Sequence, residues 1–118
     1  MVDIRRLFGN AAEDFAARFL KAKGYKILER QFTTRFGEID LVAKDGNEIV
    51  FVEVKARKNS AFGYPEESVT RAKIEKIQVV AETYLQKKHM LHSAYRIDVI
   101  SIEYTETDPK IHHFIAVS

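Results

Sequence analysis

The chain reads as one α/β domain built on a mixed sheet, and three features of its patterning predict it. Apolar residues recur at helical spacing in two stretches. Runs rich in β-branched and aromatic residues mark five strands, and Asp45-Gly46-Asn47 between two of those runs is hairpin chemistry. At 118 residues there is room for one core rather than two.

The elements follow in order. A first helix is predicted from Asn10 to just before Gly24, with Asn10 as its cap and Glu13 three positions on, as in a capping box. Ala12, Phe15, Ala16, Phe19 and Leu20 give it one apolar stripe. Tyr25 to Arg30 reads as a strand, and Gln31 to Gly37 as a basic, aromatic turn. The hairpin pairs a strand at Glu38 to Val42 with another at Ile49 to Lys55. A loop from Lys58 to Pro65 leads to a second helix over Glu67 to Lys88, striped by Ile77, Val80, Ala81, Tyr84 and Leu85. Tyr95 to Ile102 and Ile111 to Ala116 read as strands around a polar turn at Thr105 to Pro109. This αβββαββ order predicts a mixed sheet with helices packed against it. Internal repeats, low-complexity tracts and linkers are absent from the sequence.

Composition excludes several classes. With no cysteine there are neither disulfides nor thiolate metal sites. No stretch reaches membrane-spanning length, and the opening Met1 to Arg6 lacks a signal-peptide apolar core. The cytoplasm is the expected compartment. The net charge of +2 is small, but the surplus of Lys and Arg lies in residues 1–60, a distribution that suits a phosphate-rich partner.

The strongest chemical signal is charge inside an apolar strand. Ile49-Val50-Phe51-Val52-Glu53-Val54-Lys55 carries a carboxylate and an ammonium two residues apart, hence on one face. Such charges are expensive in an apolar run unless paired. The preceding strand carries Asp40. A Gly46-Asn47 turn sets Asp45 against Glu48 and Asp40 opposite Glu53, whereas an Asp45-Gly46 turn leaves them diagonal. Both registers gather two carboxylates and a lysine, and a bound divalent cation is the usual remedy for their repulsion. Mg²⁺ suits such a site because it takes oxygen ligands and often only one or two protein carboxylates. An ordinary Glu53–Lys55 ion pair beside a solvated Asp40 is the competing interpretation.

These residues carry a resemblance. Asp40 followed by Glu53-Val54-Lys55 resembles the D…ExK signature of the PD-(D/E)xK nucleases, whose fold is restriction-endonuclease-like. The ordered series is fuller: Gly9, Glu13, Ala16 and Leu20 on the first helix, Gly37-Glu38-Ile39-Asp40-Leu41, Phe51 to Lys55, Lys73, and Arg96-Ile97-Asp98-Val99. It resembles the YraN-type family of small bacterial endonuclease-like proteins over nearly the whole chain. The helix glutamate and the spacing also resemble archaeal Holliday-junction resolvases. Two positions depart: Ile39 stands where the superfamily has proline, and Ala12 where the family usually has glycine.

The resemblance implies a metal-dependent endonuclease acting on DNA, branched or structured forms included. Asp40 and Glu53 would hold Mg²⁺ or Mn²⁺, aided by the Val54 carbonyl, and Lys55 would orient water or stabilise developing charge. Neighbouring carboxylates are expected to keep Lys55 charged. Glu13 would join the site through water, although its capping position also gives it a structural job. Lys73, Arg35 and Arg57 are candidate nucleic-acid contacts, with Arg5, Arg6 and Lys58 beside them. Glu38 is an auxiliary candidate. His89 and His92, and the adjacent His112 and His113, lack convincing metal spacing, and Asp98 is expected to fix the sheet by pairing with a basic residue. The alternative function is a nucleic-acid-binding module on a nuclease fold, silent or partner-dependent in cleavage; a third is a structural protein. A homodimer is expected by analogy with the resolvases.

Overall fold

Two helices cover opposite faces of one five-stranded sheet. The computed structural model describes residues 4–57 and 70–118, with side chains described from Asn10 onward. The loop expected from Lys58 to Pro65, the helix start expected at Glu67, and the side chains of Arg5, Arg6 and Lys58 fall outside what is described. The elements are α1 (Ile4–Ala22), β1 (Lys26–Thr34), β2 (Gly37–Asp45), β3 (Glu48–Arg57), α2 (Arg71–Lys87), β4 (Tyr95–Glu103) and β5 (Lys110–Phe114).

The sheet runs β1-β2-β3-β4-β5. β1, β2 and β3 form an antiparallel meander, β4 lies parallel to β3, and β5 returns antiparallel to β4. Parallel neighbours need a crossover, and α2 is that crossover. On one face Ala12, Ala16, Ala17 and Leu20 of α1 bury against Leu41, Ala43, Val50, Val52, Ile100 and Ile102. On the other, Ile77, Val80, Ala81, Tyr84 and Leu85 of α2 bury against Phe32, Ile39, Val42, Phe51 and Ile97. The predicted stripes of both helices are thus their buried faces. Each strand of the central pair is covered on both sides, which is why Ile49 to Val52 is apolar without a break.

Four boundaries differ from expectation. α1 begins by Ile4, so Asn10 lies inside the helix and cannot cap it. An exposed asparagine costs a helix interior only about half a kcal/mol, so the cap-like spacing to Glu13 carried no boundary. β1 runs on to Thr34, because Phe32 buries in the α2 cluster and two threonines suit a strand; the turn narrows to residues 35–36. α2 is capped by Thr70, whose hydroxyl accepts from the Lys73 N–H, so the helix proper begins at Arg71. β5 ends at Phe114 because Ala116 turns to φ +57 and gives its N–H to Asp98 instead of to a strand.

One polar network staples these elements. Asp98, fully buried on β4, receives Arg96 Nε at 3.0 Å, His113 Nε2 at 2.8 Å and the Ala116 N–H at 2.9 Å. Arg96 also reaches Glu48, Asp45 and the Tyr25 hydroxyl. Lys23 Nζ lies 2.8 Å from His113 Nδ1. A lysine only donates, so Nδ1 accepts and Nε2–H faces Asp98. This is the sheet-fixing pairing expected of Asp98, and it occupies His113.

Candidate active site

The β2–β3 hairpin supplies the frame. Asp45 pairs with Glu48, which selects the Gly46-Asn47 turn. Gly46 sits at φ +62 in the first central position, the glycine position of a type II′ turn. From there the ladder runs to Leu41 opposite Val52, making Asp40 and Glu53 the next facing positions. At that point the pairing ends, and the Asp40 side chain takes over. Its Oδ2 accepts the Val54 N–H at 2.7 Å, in place of a backbone carbonyl.

A kink produces this. Ile39 packs on the α2 side of the sheet but Leu41 packs on the α1 side, so alternation fails at Asp40. Across from it on β1 stands Gln31, between the pairs Arg30–Leu41 and Phe32–Ile39, with φ +51. Both strands change face at the same level. The Asp40 carboxylate is therefore aimed along the sheet towards β3 rather than squarely onto either helix.

Glu53 and Lys55 keep regular alternation on the α2 side. Lys55 Nζ lies 3.4 Å from Glu53 Oε1, and Lys73 Nζ, from the first turn of α2, lies 3.1 Å from the same oxygen. Glu53 is only 11% exposed in its side chain. From the opposite helix comes Glu13, itself buried: its Oε2 accepts from Gln31 Nε2 at 2.9 Å, and its Oε1 is buried without a partner. With Asn10 inside the helix, the capping role of Glu13 is gone, and its charge acts on Asp40 instead.

The electrostatics follow from this crowding. Burial, then the charge of Glu53, pushes the Asp40 carboxyl up to about 7, and Glu13 and Glu38 add to the push. The Val54 N–H opposes it. Lys55 is lowered, first by burial and then by Lys73 beside it, against the pull of Glu53. The carboxylate expected to keep Lys55 charged is thus opposed by burial and by a second lysine. Burial also lowers Lys73, but the charge and hydrogen bond of Glu53 and the charge of Asp40 act against it, and Lys73 is raised.

Among the described residues no three His, Asp or Glu side chains gather into a ready-made metal cage. The donors nonetheless fit a hard, water-retaining cation. Asp40 and Glu53 offer carboxylate oxygens, and Glu13, whose Oε1 is buried without a partner, is near enough for its charge to act on Asp40. Mg²⁺ and Mn²⁺ take such oxygen sets, with water filling the remaining positions.

Other candidates are placed as follows. Arg35 is at the β1–β2 turn, stacked 4.8 Å from the Phe36 ring centroid, and Arg57 closes β3 two residues beyond Lys55. Glu38 is exposed, and His89, His92 and His112 are exposed away from the cluster. Residues that the sequence did not announce are Gln31, whose left-handed backbone has no composition signal, and Asn10 as its second partner at 3.3 Å. Phe36, Gly37 and Lys76 are further additions: with Glu38, Glu53, Lys73, Ile77 and Val80 they line a cleft against the cluster.

Comparison with known proteins gives a consistent family. The family model described as "Uncharacterised protein family UPF0102" matches residues 12–102. A UPF0102 protein of Caldicellulosiruptor saccharolyticus is 45% identical over 98 residues, covering 83% of each chain. One from Syntrophomonas wolfei is 45% identical over 112 residues, 95% of this chain and 97% of its own. One from Persephonella marina is 46% identical over 94 residues, 80% of this chain and 81% of its own. The matched span includes Glu13, Asp40, Glu53, Lys55 and Lys73.

Proposed function

This chain belongs to the UPF0102 family, and we propose that it is a nuclease hydrolysing phosphodiester bonds in nucleic acid, DNA first, with Mg²⁺ or Mn²⁺. The observation that carries this reading is the placement of Asp40 and Glu53 at facing positions where the hairpin ladder ends. Two carboxylates are held together, half-buried, where the ladder opens, and the Asp40 carboxyl is driven up to about 7. The Val54 N–H needs an acceptor but not a second negative charge beside Glu53, and a divalent cation relieves the repulsion between the two carboxylates. The D…ExK pattern resembling PD-(D/E)xK nucleases supports the same reading.

Asp40 and Glu53 would hold the ion, with Glu13 reaching it through water. When bound, the ion supplies Lewis acidity and lowers the pKa of coordinated water. Asp40 is oriented by the Val54 N–H, and Glu13 by Gln31. Lys55 orients the attacking water and stabilises charge that develops as its oxygen bonds to phosphorus and the bridging P–O bond breaks. The attacking water gives up a proton to solvent, and the departing oxygen takes one from solvent. Lys73 retains its charge beside Glu53 and holds the phosphate.

Labelled duplex, flap, four-way-junction and single-stranded DNA incubated with Mg²⁺ or Mn²⁺ test this directly. Cleavage that Glu53→Ala and Lys55→Ala abolish, with binding retained, is the expected result. An intact protein that binds the metal yet cuts none of these forms would overturn it.

A further inference from the structure

The lining of the cleft beside the cluster has two chemically different parts. The apolar part is the Phe36 ring, half exposed at 49%, with Ile77 and Val80 of α2. Gly37 beside it has φ +146, a backbone that favours glycine, and lies against Val80. The charged part is Lys73 and exposed Lys76 on α2, with Glu53 and Glu38 from the sheet. Arg35 stacks on Phe36, adding a third cation at the rim. An aromatic face next to a row of cations matches a nucleotide, which is a flat base joined to an anionic phosphate. A paired base is stacked on both sides and cannot reach Phe36; an unpaired one can.

We propose that this cleft between the β1–β2 turn and α2 receives one unpaired nucleotide beside the scissile bond, its base on Phe36 and its phosphate at Lys73 and Lys76. The substrate class is then nucleic acid with an unpaired nucleotide at the cut: a single strand, a flap or a junction. This inference rests on the nuclease reading for its location, but its readout does not require cleavage.

The protein contains no tryptophan, so Phe36→Trp installs a sole indole at the proposed stacking face. Its emission is followed with a flapped DNA duplex, a single strand, and a blunt duplex of matched sequence, in EDTA so that no strand is cut. Flap and single strand should quench it, while the blunt duplex should bind with little quenching. In parallel, Phe36→Ala should weaken single-strand binding roughly 5- to 150-fold, the range of one lost base–aromatic stack, and leave blunt-duplex binding unchanged. Equal quenching by all three DNAs, or equal weakening by Phe36→Ala, overturns the inference while leaving the nuclease reading standing. Quenching specific to unpaired DNA in a protein that never cuts supports the cleft and overturns the nuclease. Failure of every DNA to bind overturns the inference, while the cleavage assay with Mg²⁺ or Mn²⁺ decides the nuclease reading.

Discussion

Asp40 is asked to do two things that compete. As an acceptor for the Val54 N–H it closes the end of the hairpin ladder, and as a carboxylate beside Glu53 it repels its neighbour. Asparagine keeps the acceptor and drops the charge. Because the Asp40 pKa is raised in the folded protein, from an unfolded value near 4 to about 7, folding favours its neutral form. The contribution to stability is full below about pH 4 and is lost as pH rises through about 7. In metal-free protein at pH 8, Asp40→Asn should therefore stabilise by on the order of 1–3 kcal/mol, taking about 1.4 kcal/mol for each tenfold change in proton affinity. The gain should fade by pH 4. Urea unfolding in EDTA across this range measures it, and a variant less stable than the parent at pH 8 would show that the carboxylate is not strained. The Glu13–Gln31 contact makes a companion case. Gln31→Ala removes the donor to buried Glu13 Oε2, whose other oxygen is already unpartnered; it should lower cleavage about tenfold or more and cost about 1–3 kcal/mol in urea unfolding. A stability loss with cleavage intact would make the contact structural.

Strands and helices are held at this geometry by the Asp98 network, which ties the β2–β3 turn, β4, β5 and the chain end together. Burial alone would raise the Asp98 carboxyl, but His113, the Ala116 N–H and Arg96 outweigh it and hold it below the ordinary range. A depressed carboxyl stabilises the fold above its unfolded pKa, near 4, and the contribution is lost as pH falls below that through the lower folded value. Asp98→Ala should cost about 3–5 kcal/mol at pH 7, since it leaves Arg96 buried without its main partner. Thermal unfolding at pH 7 and pH 3 should show the penalty shrinking in acid; an equal penalty at both would assign it to packing. Much of this layer was legible in the sequence. Helical stripes and the Asp-Gly-Asn turn placed both helices and the hairpin, and charges interrupting an apolar strand exposed Glu53 and Lys55, because burial periodicity and desolvation cost are local properties. What escaped was the kink. Nothing in the residue types at Gln31 and Asp40 announces a left-handed backbone facing a reversed side chain, since that conformation is set by tertiary packing of Phe32 and Ile39 under α2. The same limit explains Asn10: cap-like spacing is local, but whether the helix continues past it is not.

At the scale of the molecule, the site exists only where all layers meet. α1 brings Glu13 from one face, α2 brings Lys73 from the other, and the opened ladder puts Asp40 and Glu53 between them. None of the three layers holds the cluster alone, so an ion bound there should be linked to global folding. A ligand that binds only the folded state adds about 2.7 kcal/mol at a hundredfold excess over Kd, which in a domain of this size raises Tm by roughly 10 °C. Titrating Mn²⁺ into EDTA-stripped protein should show that rise. Asp40→Ala and Glu53→Ala should each remove the increment whatever they do to the starting Tm, because each deletes an oxygen donor the ion requires. Lys76→Ala, which lines only the neighbouring cleft, should leave the increment unchanged. An increment that survives in both carboxylate variants would place the ion elsewhere on the surface, and the repulsion at Asp40 would then need another partner to relieve it.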